Sequence, residues 1–134
     1  MADLYHDERI ALLAAPTRGE GFGLPILEAA ASGLPVVVTG WSGHTDFMAS
    51  SHVKSHLDYR LVDVHPSRVD GRIFVKGARW AEPSEADFKR RVTDILNKPE
   101  LHRTLARAHA QELRRTHTFE AISAAYDAAL GDLL

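Results

Sequence analysis

Cysteine is absent from this 134-residue chain. That removes disulfides and thiolate metal sites and makes a reducing compartment the simpler setting. Long apolar runs are missing too: none approaches the ~20 residues of a membrane-spanning helix, and the N-terminus lacks the basic and apolar regions of a secretory leader. Charge of one sign is also scarce. The 16 Lys and Arg against 18 Asp and Glu leave a net charge of −2, so no global field recruits nucleic acid or an anionic membrane. What is present is ordinary for a globular protein, with 45% hydrophobic and 25% charged residues. The length suits one domain with its own core rather than two. The chain reads as a soluble, cytoplasmic single domain, without nucleic-acid partners.

The first forty residues carry the clearest pattern. "DLYHDER" (residues 3–9) reads as the tail of a helix, and "IALLAAP" as a short buried strand running into Pro16. A polar turn, "TRGEGFG", leads to a helix with Pro25 near its first position, where a missing N–H costs nothing. Ile26, Leu27, Ala30 and Ala31 lie at helical spacing, and Gly33 is placed to close the helix in a left-handed conformation. "LPVVVT" is a continuous β-branched run, as a central parallel strand covered on both faces requires. Strand, glycine turn, helix and strand in succession make a βαβ unit and an α/β fold with a parallel sheet flanked by helices.

Beyond this unit the pattern weakens and then recovers. "GWSGHTDFM" reads as a loop with a short helix near Thr45, and "YRLVDV" and "GRIFVK" as short strands. The C-terminal third is helical. Ser84 caps a helix with Glu85 and Asp87 in its first turn and Phe88, Val92, Ile95 and Leu96 on its apolar face. Pro99 opens the next, with Leu101, Leu105, Ala108 and Leu113 facing inward. Thr118 caps the last, with Phe119, Ile122, Tyr126 and Leu130 facing inward. Two convincing parallel strands are fewer than an α/β sheet normally holds. Either another chain completes the sheet or the chain is the C-terminal piece of a larger unit.

The turn "GEGFG" sits where an open parallel sheet binds ligands, after a strand and before a helix N-terminus, where free N–H groups and the helix dipole favour an anion. Gly21 and Gly23 let the backbone approach a ligand closely. The third glycine of a dinucleotide fingerprint is absent, and so is the Gly-Lys-Ser/Thr of a P-loop. Glu20 and Glu28 lie eight positions apart on either side of the turn. Their carboxylates suit sugar hydroxyls, although a solvated loop residue and a solvated helix residue would look the same in spacing.

"EGFGLPILEAAASGLPVVVT" closely resembles the signature of the retaining GT-B glycosyltransferases called group 1 or family four, E-G-F-G-L-P-x-L-E-A-x-A-x-G-x-P-V-V. The flanking "LYHDERIALLAAPT", "GARWAEPS" and "LNKPELHRTLARAHAQELRRTHTFEAISAAY" resemble the same family. Residues 50–77 match least. The resemblance implies the C-terminal part of a Rossmann-like GT-B donor domain spanning residues 1–134. It also implies transfer from a nucleotide-diphosphate sugar with retention and without a metal or other cofactor. Glu20 would be the catalytic residue beside the transferred sugar. Gly21, Phe22, Gly23 and Leu24 would line the sugar and diphosphate, and Glu28 would accept hydrogen bonds from the ribose. In that family an upstream Arg and Lys clamp the phosphates, and a separate N-terminal domain holds the carbohydrate or lipid-linked acceptor. Neither region is in this sequence, so the chain alone is expected to be inactive.

Other residues invite weaker readings. His52 and His56 lack the carboxylates or thiolates of a metal set. His44 is expected to order its loop with Asp46. Trp41 and Trp80 can stack on sugars but more readily cover the sheet edge. The basic runs at 89–91 and 114–115 fit solvated helix faces, or a peripheral membrane contact of the full protein. The alternative function is a non-catalytic carbohydrate-binding or assembly module that kept the fold.

Overall fold

A computed structural model describes residues 2–131. A short helix α1 (Ala2–Tyr5) precedes strand β1 (Leu13–Ala15), helix α2 (Leu24–Ala31), strand β2 (Val36–Thr39), helix α3 (Thr45–Met48) and strand β3 (His56–Leu57). A hairpin of β4 (Tyr59–Asp63) and β5 (Arg79–Pro83) follows, and then helices α4 (Glu85–Asn97), α5 (Pro99–Thr116) and α6 (Phe119–Leu130). The first three strands form one parallel sheet in the order β1-β2-β3, with Ala14 opposite Val37 and Val38 opposite His56. The hairpin forms a separate antiparallel sheet. The α/β architecture with its helical C-terminal third is the one the sequence predicts.

Strand β2 shows why. All four of its residues are buried, and alternate side chains enter different cores. Val36 and Val38 join Ile26, Ala29, Ala30, Phe47, Met48 and Leu113 on one face. Val37 joins Leu57 and Ile95 on the other, with Leu12 and Phe88 beside them. Helix α2 stops as Gly33 predicts. At φ 78° it lets Leu34 N–H reach Ala29 O and its own N–H reach Ala30 O, the Schellman arrangement. Helix α5 meets α2 through small residues, and its buried stripe is Ala106, His109, Ala110 and Leu113.

Several expectations fail. Helix α1 ends at Tyr5 rather than Arg9, because the Asp7 carboxylate captures the Arg9 N–H and guanidinium in a local turn. "GRIFVK" is not a strand. Asp70 Oδ1 accepts the N–H groups of Arg72, Ile73 and Phe74 at 2.9–3.0 Å, folding the segment into a tight turn. The strand that pairs with β4 is instead Arg79–Pro83. Leu96 and Leu101 are exposed. So is the whole intended inner face of α6, with Phe119 at 84% and Tyr126 at 64%. Amphipathic spacing marks a face that can be buried; it does not supply a surface to bury it against.

One buried acid organises the far end of the sheet. Asp87 is 6% exposed in the first turn of α4. Its carboxylate accepts the Asp58 N–H at 3.0 Å and binds both Arg90 and Arg91, the latter at 2.9 Å. Arg91 also donates to the Lys54 carbonyl at 2.6 Å. The residues before and after β3 are thus held by a single helix end; of the run at 89–91, Lys89 and Arg90 are exposed on the helix face as expected, and only Arg91 is packed into the fold.

Candidate functional site

The turn predicted to bind ligand leaves β1 at Pro16 and enters α2 through Gly23, which has φ 86° and whose carbonyl accepts the N–H of Ile26 and Leu27. An added Cβ at Gly23 would press on His44 Cβ and Ile26 Cδ1, both at 3.2 Å. Gly21 has nothing within 4 Å of the same position, so the turn is open there. The N–H groups of Gly21, Phe22, Gly23 and Leu24 find no acceptor among the described residues. Four successive free N–H groups ahead of a helix are the setting in which an anion replaces water.

The turn is held by the loop after β2. Ser42 has φ 95°, unusual for a residue with a side chain. Its Oγ accepts the Glu20 N–H at 2.9 Å and donates to the Glu20 carbonyl at 2.5 Å. Gly43 N–H reaches the same carbonyl at 3.3 Å. A Cβ on Gly43 would stand 1.8 Å from the Gly21 carbonyl oxygen, so the two loops meet backbone to backbone. Beneath them Thr39 Oγ1 donates to Thr17 O at 2.5 Å. Buried His44 donates through Nε2 to Thr39 O at 2.6 Å. His44 therefore does order its loop, but through Thr39 rather than Asp46, which is exposed.

Among the predicted residues, Glu20 is half-buried, and Gly21, Phe22 and Leu24 are exposed in the same turn. The Phe22 ring rests against Phe47 with centroids 5.3 Å apart. Glu28 is exposed on α2 and lies outside the clasp between the loops. Neither glutamate carboxylate is engaged in a hydrogen bond or ion pair among the described residues. Arg18 is committed elsewhere: its guanidinium binds Glu82 at 2.8 and 3.1 Å and lies 4.7 Å over the Trp80 ring. This contact, with Phe74 edge-on to Trp80, docks the hairpin on the turn, and Trp80 lies within strand β5 of that hairpin.

Sequence reasoning missed Ser42 and Gly43. The only available signal was their place directly after the second parallel strand. It also missed a cavity of about 490 Å³ at that edge, lined by Gly40, Trp41, Ser42, Thr45, Ala49 and His56. Burial holds the His56 imidazole below its ordinary pKa, with His44, Arg91 and His109 adding to the effect. A second cavity of about 330 Å³ lies between α4, α5 and the segment before β3. Its Arg90, Arg91 and His102 are already paired with Asp87 and Asp94, which leaves little free charge for a ligand. No helix of the described residues is long and apolar enough to cross a membrane.

Neither a curated protein nor a solved structure matches the chain. A family model does: "Family 4 Glycosyltransferase in conflict systems" matches residues 2–125, including the turn, its clasp and all three parallel strands. The chain belongs to this glycosyltransferase family.

Proposed function

We propose that the chain carries the donor side of a retaining glycosyltransferase of GT-B architecture, binding a nucleotide-diphosphate sugar at the turn between β1 and α2. The observation that best supports this reading is the row of free N–H groups from Gly21 to Leu24, flanked by Glu20, at the open N-terminal end of α2. Backbone dipoles there can take up the charge that develops on a departing diphosphate, which makes a metal unnecessary. Glu20 positions the transferred sugar and stabilises positive charge on it. Glu28 accepts hydrogen bonds from the ribose hydroxyls. The acceptor is a carbohydrate or a lipid-linked saccharide presented from a separate domain.

Three strands make a small platform, and Arg18, the cation nearest the turn in sequence, is spent on Glu82. Turnover is therefore expected to need further strands and phosphate-binding cations, from the same polypeptide or another, and residues 1–134 to be a partial donor domain. Calorimetric titration with UDP-, GDP- and ADP-sugars tests the binding role, and radiolabelled transfer in the full catalytic unit tests the chemistry. Glu28→Ala should lose nucleotide-sugar affinity, and Glu20→Ala should keep affinity but lose transfer. Wild-type behaviour in both would refute the assignment, and robust transfer by this chain alone would refute its dependence on further elements.

A second reading, a non-catalytic assembly module, draws support from the exposed apolar residues of α6. It predicts a stable complex that forms equally well with and without Glu20.

A further inference from the structure

The cavity after β2 has walls that the glutamate turn does not explain. Trp41 follows the end of β2, and Tyr59 follows β3, the neighbouring strand. Their ring centroids are 5.7 Å apart at an interplanar angle of 48°, which sets Tyr59 beside Trp41 and outside the cavity's own lining, and both residues remain about 40% exposed. An aromatic pair that merely sealed the sheet edge would be expected to bury more of itself, as Trp80 does between Arg18 and Phe74. Between them lies Gly40, where a side chain would meet the Leu57 carbonyl at 3.1 Å, His56 Cβ at 3.4 Å and Tyr59 Cδ1 at 3.6 Å. The missing side chain lets the end of β3 and the Tyr59 ring close onto the end of β2. His56 adds a polar group: its Nε2 is buried and has no hydrogen-bond partner among the described residues. The hydroxyl-bearing Ser42 and Thr45 complete the wall, and Ser42 is the residue that clasps Glu20.

We propose that this cavity and its rim form a saccharide subsite, in which the exposed Trp41 ring of its wall, extended by the neighbouring Tyr59 ring, takes the C–H face of a pyranose of the acceptor. Ser42, Thr45 and His56 then meet its hydroxyls. The physical reason is the mixture. Exposed Trp and Tyr offer an apolar body with a polar tip, and a sugar ring presents an apolar face bordered by hydroxyls. A cavity of this volume falls within the range of small-molecule sites, which combine aromatic walls with a few convergent polar groups. The clasp puts the cavity on the Glu20 side of the turn, where the transferred sugar is placed, rather than on the Glu28 side assigned to the ribose. The subsite thus rests on the proposed donor reading for its role as acceptor site, but not for its ability to bind a sugar.

The test uses the chain's two tryptophans. Trp80→Phe keeps an aromatic ring under Arg18 and leaves Trp41 as the single indole emitter. This protein is titrated with methyl α-glucoside, methyl α-mannoside, N-acetylglucosamine and the corresponding disaccharides, and separately with UDP, GDP and ADP. A saturable change in Trp41 emission with at least one saccharide is expected. Its affinity should fall about tenfold or more in Tyr59→Ala, the loss that removing a stacked ring produces. Tyr59→Phe, which keeps the ring, should retain the affinity, and circular dichroism verifies folding of each variant. Three results overturn the proposal: no response to any saccharide up to tens of millimolar, a response unchanged in Tyr59→Ala, or a response to the free nucleotides alone. Nucleotide-sugar calorimetry on the full catalytic unit separates the two readings. Saccharide binding by the chain with no nucleotide-sugar binding by the full unit would refute the donor assignment and leave the subsite standing. Nucleotide binding without a saccharide response would do the reverse.

Discussion

Gly43→Ala is the most informative single change, because the structure sets its cost against an internal control. The added methyl would stand 1.8 Å from Gly21 O and 2.9 Å from Gly21 C, about 1.5 Å or more short of a van der Waals contact. Both neighbours are backbone, so no side chain can swing aside and the two loops must part. Parting them loses the Gly43 N–H bond to Glu20 O and the two bonds through Ser42 Oγ. At roughly 1 kcal/mol net for each bond, the expected destabilisation is about 2–3 kcal/mol. With a urea m-value of about 1–3 kcal/mol/M, the midpoint falls by about 0.7–3 M while the slope is unchanged. Gly21 lies across the same contact, but a Cβ there meets nothing within 4 Å. Its φ is not positive either, so Gly21→Ala should shift stability by less than about 0.5 kcal/mol, or raise it slightly through the unfolded chain. Equal losses in the two variants, or a Gly43→Ala loss below about 0.5 kcal/mol, would refute the reasoning.

Other consequences can be measured in the same way. Ser42→Ala keeps the positive φ and loses both hydroxyl bonds, whereas Ser42→Gly loses the bonds but relieves the backbone, so the alanine should be less stable by about 1 kcal/mol in urea melts. Burial raises the Asp87 pKa, but the Asp58 N–H, Arg91 and Arg90 outweigh it and hold the carboxyl below its usual range. Its stabilisation is therefore complete above about pH 4 and is lost as the pH falls through the lower folded value. Asp87→Asn should cost about 3 kcal/mol at pH 7 and blunt that acid-limb loss. Burial lowers the pKa of His109 although the Phe47 carbonyl, which its Nε2–H reaches at 2.9 Å, opposes the shift. Stability is thus full above about pH 6.5 and declines toward the depressed folded value on acidification, by at most about 1.4 kcal/mol per pH unit for this group. His109→Gln should flatten that slope in thermal melts between neutral pH and pH 5, and an unchanged slope would refute the assignment.

What could be read in advance follows from the range of the forces involved. Val36–Val38 and Gly33 announce themselves because strand burial and left-handed caps are decided by neighbouring residues. Ser84 and Thr118 are legible as caps for the same reason: each side chain accepts an N–H three residues on. Strand β5 was not legible. Its Gly- and Pro-flanked sequence looks like a loop until Tyr59–Asp63 is brought alongside it. The mistaken strand at 71–76 yielded to Asp70, whose one carboxylate oxygen outbid a sheet partner for three N–H groups. At the site, the glutamate turn was visible from its own residues. Ser42, Gly43, Tyr59 and His56 were not, because their meaning comes from contacts between loops that only the assembled sheet creates.

The Asp87 anchor has a further consequence for the segment between α3 and β3. Strand β3 has only two residues, yet α4 holds the chain at Asp58 and, through Arg91, at Lys54. Its register is therefore insulated from the connection that precedes it. Ser51 and His52 are exposed in that connection, and extra residues inserted between them would extend into solvent without shifting His56 or Tyr59. Of the loops near the sheet, this is the one best suited to accept a tag, a fluorophore or an inserted peptide while leaving the opposite edge as it is.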